Sequence, residues 1–142
     1  MIEKWRDIPE YEGIYQVSNL GNVKVLDRVV NSAIKHSDKV KRIGKTLKQY
    51  NKNGYMQVTL TINTKRKYYN VHRLVAQAFI DNPQNLPQVN HKDENKLNNN
   101  VNNLEWCTAK YNCNYGSRNS KIHNITTWEK GHIPWNKGKK LK

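Results

Sequence analysis

Hydrophobic and polar positions alternate in several short runs of this chain and recur at helical spacing in one longer run. Ile14-Tyr15-Gln16-Val17-Ser18 reads as a strand, Asn19-Leu20-Gly21-Asn22 as a turn, and Val23-Lys24-Val25-Leu26 as the return, with Trp5, Ile8 and Tyr11 as apolar anchors ahead of them. From Asp27 to Lys45 the apolar pattern thins, which predicts an exposed loop or linker. A second hairpin follows: Leu47 to Tyr50 and Tyr55 to Thr61 flank Asn51-Lys52-Asn53-Gly54, and an Asn-Gly step suits the positive φ values of a tight turn. Tyr68 to Val71 adds a strand. Val71, Leu74, Val75, Ala78 and Phe79 then share one helical face, with Asn70 placed to cap the helix and Asn82-Pro83 beyond its end. Gln88 to His91 forms a short strand, Asp93-Glu94-Asn95 a turn, Leu104 to Cys107 a return strand, and Thr108 caps a helix through Asn112. The last module is therefore strand, long loop, strand, helix.

A chain of 142 residues has room for one compact domain, or for one small module with an arm. Only 36% of its residues are hydrophobic, so the core is modest. Twenty-five Lys and Arg against eleven Asp and Glu leave a formal charge of +14, an excess that calls for a polyanion, and nucleic acid is the partner this implies. An anionic membrane surface is the competing partner. The sequence has no long apolar run, no signal-type segment and no clear basic amphipathic helix, so the expectation is an intracellular protein. The candidates for DNA phosphate contact are Lys24, Lys41, Arg42, Lys65, Arg66, Lys67 and Arg73, with Lys65-Arg66-Lys67 read at a hairpin turn. After Gly116 the chain becomes polar and basic, and Gly131, Pro134 and Gly138 interrupt its lysines, so no packed unit is predicted there. Cys107 and Cys113 are too few for a disulfide framework and lack zinc spacing, which leaves buried free thiols as the reading.

Phosphodiester hydrolysis needs an activated water, positive charge against the developing oxyanion, and protonation of the leaving 3′-oxygen. His91, near a strand end in a polar segment, is the candidate general base, since a neutral imidazole takes a proton near pH 7. Asn90 and Asn112 carry amide oxygens able to ligate a hard divalent cation, Mg2+ or Mn2+. His36, His123 and His132 read as structural or solvated, and His72 as packing or capping at a helix start. Trp106 reads as core, and Asn98-Asn99-Asn100 as loop.

Val89-Asn90-His91-Lys92-Asp93, Asn98-Asn99, Asn103-Leu104-Glu105-Trp106-Cys107-Thr108 and Tyr111-Asn112 resemble the HNH family of ββα-metal nucleases, in its phage and intron homing branch. Val71-His72-Arg73-Leu74-Val75-Ala76 is similar to the helix that precedes its catalytic motif. Ile8-Pro9-Glu10-Tyr11-Glu12-Gly13 and Val17-Ser18-Asn19-Leu20-Gly21 look like the DNA-binding module called NUMOD4. The resemblance implies His91 as base, Asn103 as the asparagine that orients it and steadies the loop, and Asn90 and Asn112 as metal ligands. It also implies an α+β fold: a small N-terminal antiparallel β module at residues 1–50, a ββα-metal nuclease core at 51–118 and a basic C-terminal tail at 119–142. The expected activity is metal-dependent cleavage of double-stranded DNA, one strand per active site, by a monomer or homodimer encoded by a phage or mobile intron. Some members carry Asp where this chain has Asn90. Two neutral amides hold Mg2+ more weakly than a carboxylate would, and Asp93 is the nearest carboxylate in sequence. The alternative is a DNA-binding or regulatory protein that keeps the scaffold with little cleavage, and an RNA-binding protein is more distant.

Overall fold

The computed structural model describes residues 2–31 and 39–117. His36, His123, His132 and the Gly131 to Lys139 stretch lie outside the described residues. Strands β1 (Trp5–Asp7), β2 (Tyr15–Ser18) and β3 (Val23–Val25) are antiparallel neighbours. β4 (Arg28–Val30) and β5 (Val40–Arg42) pair with each other, and β6 (Lys45–Thr46) returns to the free edge of β3. The segment expected as a loop from Asp27 to Lys45 therefore carries strands. None of their side chains is fully buried, Val29 being 62% and Val40 39% exposed, so no strongly apolar face marks them in the sequence.

β7 (Tyr50–Lys52), β8 (Tyr55–Ile62) and β9 (Lys65–Asn70) form a meander. Lys52 faces Tyr55 across a two-residue turn in which Asn53 and Gly54 take φ values of 54° and 85°, the pair of left-handed conformations the Asn-Gly step was read to supply. The next turn is Asn63-Thr64, with φ values of 47° and 66°. Lys65, Arg66 and Lys67 accordingly lie within β9, opposite Ile62, Thr61 and Leu60, and not at a turn as the sequence suggested.

Helix α1 (Val71–Phe79) follows directly, and it buries Val71, His72, Leu74, Val75 and Ala76. Asn70 stands at its N-cap position but makes no capping bond, because its Oδ1 accepts from Gln57 Nε2 at 2.8 Å. β10 (Gln88–His91) and β11 (Leu104–Cys107) form an antiparallel ribbon closed by a loop containing the 3-10 turn Val101–Asn103. α2 (Ala109–Asn114) is capped as expected: the Tyr111 amide donates to Thr108 Oγ1 at 3.1 Å. Mixed α and β structure dominated by short strands is thus the architecture the sequence led us to expect.

Residues 1–112 form one compact unit, and side chains from both ends of it fill a single core. Ile8, Tyr11, Tyr15, Val17 and Val23 pack with Val58 and Leu60 of β8, the buried face of α1, and Val89 and Leu104 of the ribbon. Polar bonds tie the same parts together. Tyr15 Oη donates to the Thr61 carbonyl at 3.0 Å and accepts from its amide at 3.1 Å, while the Tyr11 and Tyr69 hydroxyls meet at 3.0 Å. Cys107 is buried, as expected of a free thiol, whereas Cys113 is exposed because α2 buries none of its residues.

The β2–β3 turn is seated on the β10–β11 loop. The Val101 amide donates to the Asn19 carbonyl at 2.9 Å, and a Cβ at Gly21 would lie 2.9 Å from Asn99 Cβ and 3.3 Å from its carbonyl oxygen. Gly21 also holds φ at +91°, a conformation that disfavours side chains. We therefore expect Gly21→Ala to lower stability by about 1–3 kcal/mol through strain and steric conflict. Urea unfolding checks this, and an unchanged midpoint would mean that the turn does not rest on the loop.

Candidate active site

His91 ends β10 with 6% of its surface exposed. Its ring meets that of His72 edge-on at 5.0 Å between centroids, and Tyr55 lies 6.2 Å away. His91 Nε2 stands 3.1 Å from Asn99 Oδ1, itself on a residue only 6% exposed. An amide oxygen can only accept, so Nε2 carries the hydrogen and Nδ1 is left with its lone pair. Burial pulls the His91 pKa below the usual imidazole value, with Lys96 adding to this and Asn99 and Asp93 acting the other way. The ring is therefore held in the form a proton acceptor needs at neutral pH.

The loop that presents Asn99 is braced by amides around one carboxylate. Asp93 Oδ1 accepts from Asn103 Nδ2 at 2.8 Å and from the Asn95 amide at 2.8 Å, and Oδ2 accepts from Asn98 Nδ2 at 2.7 Å. Asn103 Oδ1 in turn accepts from the Asp93 amide at 3.0 Å, and its Nδ2 donates to the Asn98 carbonyl at 2.9 Å. These bonds, led by that from Asn98, hold the Asp93 carboxyl below its ordinary pKa. Asp93 thus belongs to the turn. Asn103 steadies the loop, and the side chain on the His91 ring is Asn99, which sequence reading left as loop decoration. Nothing in the sequence distinguishes Asn99 within the run Asn98-Asn99-Asn100, because its role depends on how the loop folds back.

Neighbouring strand residues project to opposite faces, so Asn90 leaves β10 on the side away from His91. Asn90 is paired with Glu105 across the ribbon, and its Nδ2 donates to Glu105 Oε1 at 2.8 Å. Asn112 Nδ2 donates to Gln88 Oε1 at 2.7 Å, two residues along the same strand face. Each amide nitrogen is thereby occupied and each Oδ1 is the remaining donor atom. Among the described residues no three His, Cys, Asp or Glu side chains gather in a way that could hold a metal ion, so a cation here would depend on amide oxygens. The donor set fits a hard divalent ion: Asn90 and Asn112 both present oxygen, and one polar ribbon face joins them. The structure assembles Asn90, Asn112, Gln88 and Glu105 on one side and His91, Asn99, His72 and Tyr55 on the other, linked by the single Asn90–His91 peptide.

The basic candidates are dispersed. Lys41, Arg42, Lys65, Arg66 and Lys67 are exposed. Lys24 lies over the Trp5 ring at 4.1 Å, and Arg73 donates to the Pro87 carbonyl at 3.1 Å while sitting 5.9 Å from the Trp106 ring. Lys96, which the sequence reading passed over, stands 4.7 Å from the Tyr55 ring, beside His91. Trp106 is partly buried against the core, and its Nε1 donates to the Ile80 carbonyl at 3.0 Å.

Two antiparallel strands, a braced loop and a following helix around a strand-end histidine define the ββα-metal nuclease scaffold. Comparison with known proteins agrees. The NUMOD4 motif model matches residues 3–61. An uncharacterized HNH endonuclease of Acanthamoeba polyphaga mimivirus is 41% identical over 84% of this chain and 31% of its own length. DNA endonuclease I-HmuI of Bacillus phage SP01 is 42% identical over 77% of this chain and 55% of its own. A solved structure of DNA binding and cleavage by the HNH homing endonuclease I-HmuI matches with a TM-score of 0.60 and 37% identity, covering 86% of this chain and 67% of that one. The chain belongs to the HNH homing endonuclease family. It spans 31% and 55% of the length of these two curated relatives.

His72 gives the site a pH-linked stability. It is 6% exposed, its Nδ1 has no partner, and burial, with His91 and Arg73 nearby, pushes its pKa down to about 3 from 6.5. Below pH 6.5 the unfolded chain binds a proton that the folded chain refuses, so stability falls as pH drops from 6.5 toward 3. His91, shifted in the same direction, adds to the loss. Between pH 6.5 and 4.5, above the ordinary carboxylate values, the histidines dominate the slope. Unfolding free energy should fall there by up to about 1.4 kcal/mol per pH unit for each such group. The slope should flatten in His72→Phe, as read from denaturation across this range.

Proposed function

We propose that this chain hydrolyses phosphodiester bonds of double-stranded DNA, cutting one strand per active site, with His91 as general base. The observation that carries the proposal is the His91–Asn99 bond, which fixes the tautomer and leaves Nδ1 as a basic nitrogen in an imidazole kept neutral. His91 Nδ1 takes a proton from water, and the water oxygen bonds to phosphorus. The bond from phosphorus to the 3′-oxygen breaks, and that oxygen is protonated by solvent, leaving a 3′-hydroxyl and a 5′-phosphate. Asn90 and Asn112 would hold Mg2+ or Mn2+, which supplies positive charge against the developing oxyanion and the leaving oxygen. Asn103 and Asp93 keep the loop in the shape that delivers Asn99. Lys24, Lys41, Arg42, Lys65, Arg66, Lys67 and Arg73, within a +14 chain, supply phosphate contacts. Relatedness to a protein of a Bacillus phage supports a phage-encoded nuclease acting inside the bacterial host.

A second reading is DNA binding with little cleavage, and the neutral side chains of both metal candidates favour it. Supercoiled plasmid incubated with Mg2+ or Mn2+ separates the two. Nicked circles are expected from the native chain, with His91→Ala slower by roughly 10²- to 10⁴-fold and equal in gel shift. Plasmid shifted by the native chain but left intact would establish binding alone. Asn99→Ala should also slow nicking while leaving DNA affinity unchanged, since it frees the ring to change tautomer. The acid limb of the nicking rate should lie below pH 6.5, because only the neutral ring accepts a proton and burial lowers its pKa.

A further inference from the structure

Among the described residues Glu105 is a carboxylate with no cationic partner, placed beside the two amides assigned to the metal. It is half-buried in β11, directly opposite Asn90. Both of its hydrogen bonds fall on one oxygen: Oε1 accepts from Asn90 Nδ2 at 2.8 Å and from Tyr111 Oη at 3.3 Å. Among the described residues the one ion pair is Lys41 with Asp27, so Glu105 has no cationic partner there, in a chain carrying +14. A partly desolvated anion next to neutral amides is unfavourable unless a cation joins it. The remaining oxygen, Oε2, accepts from no described residue, while Oε1 keeps Asn90 in place.

We propose that Glu105 supplies the carboxylate of the metal site, joining Asn90 and Asn112 and making up for the neutral side chain at position 90. The proposal rests on the reading of Asn90 and Asn112 as metal ligands. It requires that Glu105 act through its charge and not merely as an acceptor that orients the Asn90 amide. Glu105→Gln separates these roles, because the glutamine oxygen can still accept from Asn90 Nδ2 and only the charge is lost.

Mn2+ alone, titrated into the full chain and followed by electron paramagnetic resonance, measures the site without DNA or turnover. Loss of a carboxylate should weaken Mn2+ by roughly 10- to 100-fold in Glu105→Gln. Asn90→Asp added to Glu105→Gln should recover most of that loss by moving the carboxylate across the rung, and it keeps the test alive if the single variant folds poorly. Circular dichroism and the melting temperature establish folding in each case. If Asn112→Ala weakens Mn2+ while Glu105→Gln binds it within twofold of the native chain, the Glu105 assignment is overturned and the amide site stands. If neither substitution changes Mn2+ binding, both assignments fall.

Discussion

The four-residue register of the β10–β11 ribbon is the constraint on which the site depends. Gln88 faces Cys107, Val89 faces Trp106, Asn90 faces Glu105 and His91 faces Leu104. Side chains alternate along each strand, so this register delivers Val89 and Leu104 to the hydrophobic core while Asn90, itself only 5% exposed, and Glu105 meet on the opposite face. A slip of one residue would exchange the faces, turning the amide and carboxylate into the hydrophobic core and the apolar pair away from it. Hydrophobic burial therefore sets the positions of residues that contribute nothing to it. The strand-end position of His91 follows from the same register, as does its packing against His72 on α1.

Rigidity in the loop beyond His91 has a different origin, since apolar side chains are sparse there. Asparagines supply it. Asn95, Asn98 and Asn103 converge on Asp93, Asn100 Oδ1 accepts from the Asn102 amide, and Asn99 alone of the run turns to the histidine. Short amides are suited to this because they bond to nearby backbone and tolerate tight turns. The loop is also held from outside, by the Asn19 carbonyl on the Val101 amide and by the Gly21 backbone against Asn99. The region matched by the NUMOD4 model thus touches the residue that fixes the histidine tautomer. Through Asn99, strain in the N-terminal hairpin has a short path to the base.

Local signals account for what the sequence made legible. The Asn53-Gly54 turn, the apolar face of α1, the Thr108 cap and both ribbon strands each rest on chemistry within a few residues. β4 and β5 escaped because β5 is exposed throughout and β4 is only three residues long with none fully buried, too little for a period to show. The capping bond expected of Asn70 went instead to a cross-strand partner, Gln57, which only the register of β8 and β9 brings near. In the candidate site, His91, Asn90 and Asn112 were marked by residue type and motif. Asn99 and Glu105 lie within the motif segments, yet nothing local to them points to a role. The first is chosen from three adjacent asparagines by loop geometry, and the second meets Asn90 only when the pairing across a long loop is known.

The pairing of Asn90 with Glu105 also explains why the side chain at position 90 can be neutral. Directly opposed residues on one face of an antiparallel pair interact closely, and like charges there repel. A carboxylate at 90 would face the one at 105, and with no described cation beside Glu105 both would be destabilised until a metal arrived. An amide avoids this. It donates a hydrogen bond to Glu105 and adds no second negative charge, and its own oxygen remains available. The two positions then behave as one unit carrying a single negative charge, with the amide on the residue adjoining the base and the charge on the strand opposite. Keeping the full charge off the residue adjoining His91 has a further consequence, since a nearby anion favours the protonated imidazole. The neutral form of His91 is supported first by burial, with Lys96 adding to it.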